Sequence, residues 1–188
     1  MSYFKNEIVL VRHGQTEWNL IKRTQGHLDS PLTEIGIAQA KETAEKLRAK
    51  PIDIIISSPL GRALETAKII KEIIQVDEIE TDKLLMERHL GILQGRTKNE
   101  LIGLFPHFWG PDGKFLQNAS VPEGESLQDF LQRISKFIGR LEKIADSKRA
   151  LIVTHDGVLH ALVGVIKRIP FEQVQQDYTF RHGEPFTL

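Results

Sequence analysis

Three short runs dominated by apolar residues constrain this chain more than any other feature: Ile8 to Val11, Ile52 to Ile56 and Ala150 to Val153. Runs of this length, bounded by polar residues, read as strands buried on both faces. Amphipathic stretches separate them. Thr33 to Ala49 carries Ile37, Ala40, Ala44 and Leu47 at helical spacing, and Pro51 closes it. Ser57-Ser58-Pro59 predicts a helix start, with a serine cap and proline in first position. Leu64, Ala67, Ile70 and Ile74 form its apolar side. Ile79 to Thr81 fits a short edge strand. Ser126 caps a long helix to about Ala145, with Asp129 at the reciprocal capping position. Gly157 to Lys167 is a further helix. Strand–helix repeats with uniformly apolar strands predict an α/β fold with a mostly parallel sheet.

At 188 residues the chain suits one domain, residues 1–188. Lys plus Arg and Asp plus Glu are both 25, so the formal net charge is zero. Global charge therefore points to neither nucleic acid nor a membrane surface as a partner. There is no cysteine, which removes disulfides, thiolate chemistry and cysteine-based zinc sites. The first residues lack a signal-peptide pattern, and no apolar run reaches membrane-spanning length. A cytoplasmic protein is expected, its oligomeric state, monomer or dimer, left open. Residues 104–125 are rich in glycine, proline and aromatics, and this length suits a lid or substrate loop.

Each buried strand runs into anion-binding chemistry. The first delivers Arg12-His13-Gly14, the second Ser58-Pro59-Leu60-Gly61-Arg62, the third Thr154-His155-Asp156-Gly157. In a parallel sheet these carboxyl ends share one edge, where open α/β sheets bind ligands. Helix N-termini following the second and third strands favour anions further. Two arginines and two histidines converging there make a cage for a phosphate dianion. A lone histidine at a strand end is more often structural, and Arg62 alone would be an ordinary surface residue. Three such clusters at equivalent positions outweigh that plainer reading.

These residues also carry a resemblance. Leu10-Val11-Arg12-His13-Gly14-Gln15-Thr16-Glu17-Trp18-Asn19 resembles the signature of the histidine phosphatase superfamily, the phosphoglycerate mutase-like proteins. Blocks at 25–36, 57–67, 87–95, 122–126 and 153–158 follow in the family's order. The resemblance implies a phosphoglycerate mutase-like three-layer α/β/α sandwich. It implies that His13 attacks phosphorus and forms a phosphohistidine, while Arg12, Arg62 and His155 hold the phosphoryl oxygens. Glu87 becomes the general acid, then the base for water. Gly14, Asn19, Gln25, Gly26, Arg88 and His89 would complete the phosphate and substrate pocket. It implies no metal.

The block Glu87 to Gly95 looks closer to cofactor-dependent phosphoglycerate mutases than to many phosphatases. Residues 96–125, however, offer only Arg96, Lys98 and Lys114 as cations for a second phosphate. The first expectation is therefore a phosphatase that needs no cofactor and acts on a small-molecule phosphate ester. A mutase using 2,3-bisphosphoglycerate is the second, and a non-catalytic phosphate-binding module the third. Asp156 stands where relatives often carry glycine, and His160 where they often carry arginine. His27 reads as a rim residue, and His107 and Trp109 as loop packing. Arg181-His182-Gly183, a near-copy of the first tripeptide, reads as a solvated tail or edge segment.

Overall fold

The computed structural model describes residues 3–188. In chain order the elements are β1 (Ile8–Arg12), α1 (Glu17–Leu20), α2 (Glu34–Leu47), β2 (Ile54–Ser57), α3 (Gly61–Ile74), β3 (Ile79–Thr81), α4 (Lys98–Leu104), α5 (Leu127–Ala145), β4 (Ala150–Thr154), α6 (Asp156–Lys167), α7 (Phe171–Asp177) and β5 (Pro185–Thr187). The sheet order is β3-β2-β4-β1-β5. β5 alone runs antiparallel, along β1.

Alternation along the strands sorts the core into two layers. Val9, Val11, Ile55, Leu151 and Val153 face α2 and α3, meeting Ala44, Leu47, Ala63, Ala67 and Ile70. Ile8, Leu10, Ile54, Ile56 and Ile152 face α5 and α6, meeting Phe130, Ile134, Phe137, Val158 and Leu162. The result is the three-layer α/β/α sandwich. Phe137 is fully buried, so Phe137→Ala is expected to lower unfolding free energy by about 3–5 kcal/mol in a urea titration.

The strand ends are in register. Arg12 pairs with Thr154, and Ser57 with Val153. The next residues continue the row: the His13 amide donates to the Thr154 carbonyl at 2.9 Å, and the Ser58 amide to the Val153 carbonyl at 3.0 Å. His13, Ser58 and His155 therefore stand side by side at one sheet edge.

Two local expectations need correction. α3 starts at Gly61, and Leu60 occupies its cap. Ser58 is not that cap: its hydroxyl accepts from the Leu60 amide at 3.3 Å, ahead of the helix, and lies 2.7 Å from His155 Nε2. At Ser126 the hydroxyl accepts from the Asp129 amide, but the Asp129 carboxylate turns to that hydroxyl, so the reciprocal backbone bond is missing. Residues 104–125, the expected lid or substrate loop, are packed rather than open. They complete a small separate core of Leu93, Leu101, Phe108 and Val121, seated partly on α4, and include a 3-10 turn at Pro106–Phe108.

Candidate active site

His13 is 4% exposed and leaves β1 with its ring already oriented. Its Nδ1 lies 2.8 Å from the Gly14 carbonyl, an oxygen that can only accept. The proton therefore sits on Nδ1, which leaves the lone pair on Nε2, where it accepts from Arg62 Nε at 3.3 Å. Gly14 is fixed in turn by its amide, which donates to Thr66 Oγ1 at 3.0 Å. That bond uses the Gly14 N–H, so Gly14 orients the histidine and does not offer this amide to phosphate. A Cβ at Gly14 would also meet the Gly36 carbonyl oxygen at 2.4 Å.

Arg62 enters from the first turn of α3 and is 2% exposed. Its Nε lies 3.3 Å from His13 Nε2. The other nitrogens are clamped: Nη1 donates to the Leu28 carbonyl and Asp29 Oδ1, Nη2 to the Gly26 carbonyl. Gly26 takes a positive φ of 56°, and a side chain there would strike Gln94 Oε1 at 2.1 Å. Its contribution is a backbone carbonyl aimed at Arg62.

Burial, reinforced by the Arg62 charge, holds the His13 pKa well below the usual imidazole value. The same two causes act on the fully buried His155. The His155 Nδ1 atom has no hydrogen-bond partner. The ring lies 5.3 Å from that of His13. These depressed values set a sign for acid stability. The unfolded state takes up protons on both residues below about pH 6.5 while the native state resists. Stability is thus full above that pH and falls as pH drops toward the native values. Both residues contribute to that loss in the same direction. Glu87, whose raised value favours the native state at low pH, opposes part of this. The melting temperature is expected to be lower at pH 5 than at pH 7, and equal values at both would contradict the assignment.

Glu87 stands opposite, with one carboxylate oxygen accepting from the Arg88 amide at 2.9 Å and the other from the Gly157 amide at 3.2 Å. Burial pushes its pKa up, while the Arg88 N–H pulls it down. A carboxyl kept protonated above the ordinary glutamate range suits a proton donor. Gly157 leaves no room for a side chain, since a Cβ would lie 2.5 Å from Glu87 Oε1.

The peripheral residues divide by what they touch. Asn19 Oδ1 faces the Thr16 amide, and the Gln25 amide group donates to Thr16 Oγ1, while Gln25 Oε1 has no partner. Arg88 turns outward to the carbonyls of Glu125 and Gln117 and so braces residues 104–125. His89 Nδ1 receives the Gly91 amide. The structure thus places Arg88 and His89 in the framework behind Glu87. His27 does more than line a rim: its Nε2 lies 2.7 Å from the Glu87 carbonyl.

Two groups escaped the sequence reading. Arg133, on α5, bonds both oxygens of Glu125 and donates to the carbonyls of Leu84 and Met86. It fixes the backbone that carries Glu87, and an isolated arginine on a helix gave no signal of this. Arg133→Met is expected to lower kcat/KM at least tenfold by loosening that backbone, with kcat bearing most of the loss. The second group is the C-terminal tripeptide. Of its two readings the edge segment holds and the solvated tail does not, because Arg12 forms a parallel bridge with His182 and its carbonyl accepts from the Gly183 amide. His182 Nδ1 lies 2.8 Å from the His13 carbonyl, and the two rings are 5.3 Å apart. The repetition of Arg-His-Gly was the available signal, but pairing with β1 could not be read from it.

A buried neutral histidine at a strand end, a clamped arginine beside it and a protected carboxyl opposite define a phosphoryl-handling α/β protein. Comparison with known proteins gives the family. A model of the histidine phosphatase superfamily (branch 1) matches residues 8–183, and the chain belongs to that superfamily. The probable phosphoglycerate mutase GpmB of Proteus mirabilis is 35% identical over 170 residues, covering 87% of this chain and 76% of its own. The structure of Bacillus stearothermophilus YhfR is 32% identical with a TM-score of 0.86, covering 97% of this chain and 90% of its own. The alpha-ribazole phosphatase of Shigella flexneri is 28% identical with a TM-score of 0.85, covering 96% and 89%. Among the described residues no helix is long and apolar enough to cross a membrane.

Proposed function

We propose that the protein hydrolyses phosphate monoesters of small metabolites through a phosphohistidine on His13. His13 Nε2 attacks phosphorus in line. The bond from phosphorus to the alcohol oxygen breaks as Glu87 gives that oxygen its proton. Arg62 and Arg12 meet the charge on the phosphoryl oxygens. Water then attacks phosphorus, the Glu87 carboxylate takes its proton, and the P–N bond breaks to release phosphate. The reading assigns no step to a metal ion or cofactor, and the setting we propose is the cytoplasm.

One observation favours hydrolysis over mutase chemistry. The cations of residues 96–125 each lean on a nearby group: Arg96 on the Ile92 carbonyl, Lys98 over the Trp109 ring at 5.5 Å, Lys114 on Asp112 at 3.7 Å. None is held ready for a second phosphate. The mutase-named relatives support the second reading, isomerisation of a phosphoglycerate with 2,3-bisphosphoglycerate. Incubation in EDTA with 3-phosphoglycerate, with and without 2,3-bisphosphoglycerate, and with a phosphomonoester panel separates them. Phosphate release is expected, isomerisation would replace this reading with the mutase, and binding without turnover would leave a phosphate-binding module.

Glu87→Gln is expected to lower turnover of an alkyl phosphate by about 10²–10⁴-fold. The loss on p-nitrophenyl phosphate should be smaller, because that leaving group needs less protonation. Equal losses on both would deny Glu87 the role of acid.

A further inference from the structure

We propose that Asp156 is the specificity-determining residue of this site, an internal carboxylate that occupies Arg12 and selects against esters whose alcohol is negatively charged. The proposal rests on the reading of the site as phosphoryl-binding. Asp156 opens α6 directly after His155, and its Oδ1 lies 2.8 Å from Arg12 Nη1. The same Nη1 donates to the Phe180 carbonyl at 3.0 Å. One terminal nitrogen of Arg12 is thus already held by an anion belonging to the protein, while Nε has no partner.

An acidic residue in a helix's first turn often serves only the helix dipole. Here the carboxylate leans across to Arg12, and its other oxygen lies 3.6 Å from His160 Nδ1. The His160 ring is committed elsewhere, with Nδ1 2.8 Å from the Asp156 carbonyl and Nε2 3.2 Å from that of Tyr178. Asp156 also acts on Glu87: after burial, its charge is what pushes the Glu87 carboxyl up. It therefore stands near both Arg12 and the acid that protonates the leaving oxygen. The other charged and titratable groups facing it are His160 and His182.

On this proposal a phosphoryl oxygen that reaches Arg12 competes with Asp156 for the guanidinium. The displaced carboxylate then borders the alcohol portion of the ester. A carboxylate on that alcohol is repelled, and an ammonium group is attracted. With both charges partly solvated, the discrimination is about tenfold for each ligand pair.

Phosphoethanolamine and 2-phosphoglycolate test this, because both are two-carbon esters of opposite end charge. Calorimetric Kd values for these and for orthophosphate are measured on the wild type, D156N, D156G and D156E. The wild type is expected to bind phosphoethanolamine about tenfold more tightly than 2-phosphoglycolate. D156N and D156G should bind the two about equally and hold orthophosphate about tenfold more tightly, while D156E keeps the wild-type preference. An unchanged preference in D156N and D156G, or no orthophosphate binding by any of the four, would overturn the inference. Failure of the hydrolase reading looks different: no ester is turned over, yet ligand preference still follows the charge at position 156.

Discussion

His13→Ala is expected to remove turnover of p-nitrophenyl phosphate, with a loss on the order of 10⁵-fold or more, as when an enzyme loses its covalent nucleophile. Such a loss is plausible without unfolding. The ring's bond to the adjacent Gly14 carbonyl is local, and the backbone bonds of His13 to Thr154 and His182 do not need the imidazole. Far-ultraviolet circular dichroism should therefore be unchanged. The wild type, quenched in alkali after mixing with labelled substrate, should carry acid-labile phosphate that the variant lacks. Retention of a tenth of the activity would end the assignment of His13 as nucleophile.

Arg62→Ala is expected to damage both turnover and stability. Removing one preorganised donor from developing anionic charge costs about 10²–10³-fold in kcat. The guanidinium also satisfies the carbonyls of Gly26 and Leu28, which would lose their donor. At about 1–3 kcal/mol for each group left unpaired, a stability loss of about 2–6 kcal/mol follows for the two carbonyls. Arg62→Lys restores the charge but not the fork that reaches three acceptors, so it should recover less than a tenth of wild-type kcat. Wild-type kcat in that variant would show that charge alone suffices.

Much of this site was legible because its chemistry sits where periodicity ends. Arg12, His13, Arg62 and His155 each follow an apolar strand, and a parallel sheet brings such ends together. Glu87 was legible only through its motif, since no strand delivers it. The supporting residues were hidden. Arg133 acts through backbone carbonyls 46 to 49 residues away, and His182 through a carbonyl 169 residues away. Contacts to main-chain oxygen carry no residue-type signature. The helix start at Gly61 was misplaced for a related reason. Ser58-Pro59 satisfied the local capping rule, but the Ser58 hydroxyl serves the Leu60 amide and His155, and the helix begins beyond both residues.

The position of β1 between β4 and β5 has a consequence for how the protein matures. Residue 8 is hydrogen-bonded along a ladder that needs residue 150, and Val9 pairs with Thr187. The nucleophile is therefore made early but anchored by segments made late. Joining partners so distant in sequence is slow compared with forming α2 and α3. A nascent or partly unfolded chain carries His13 without Thr154, His155 or His182 to fix it. Such a chain lacks an assembled site, and a cut between α7 and His182 would part His13 from His182 while leaving α2 and α3 covalently joined to β1 and β2.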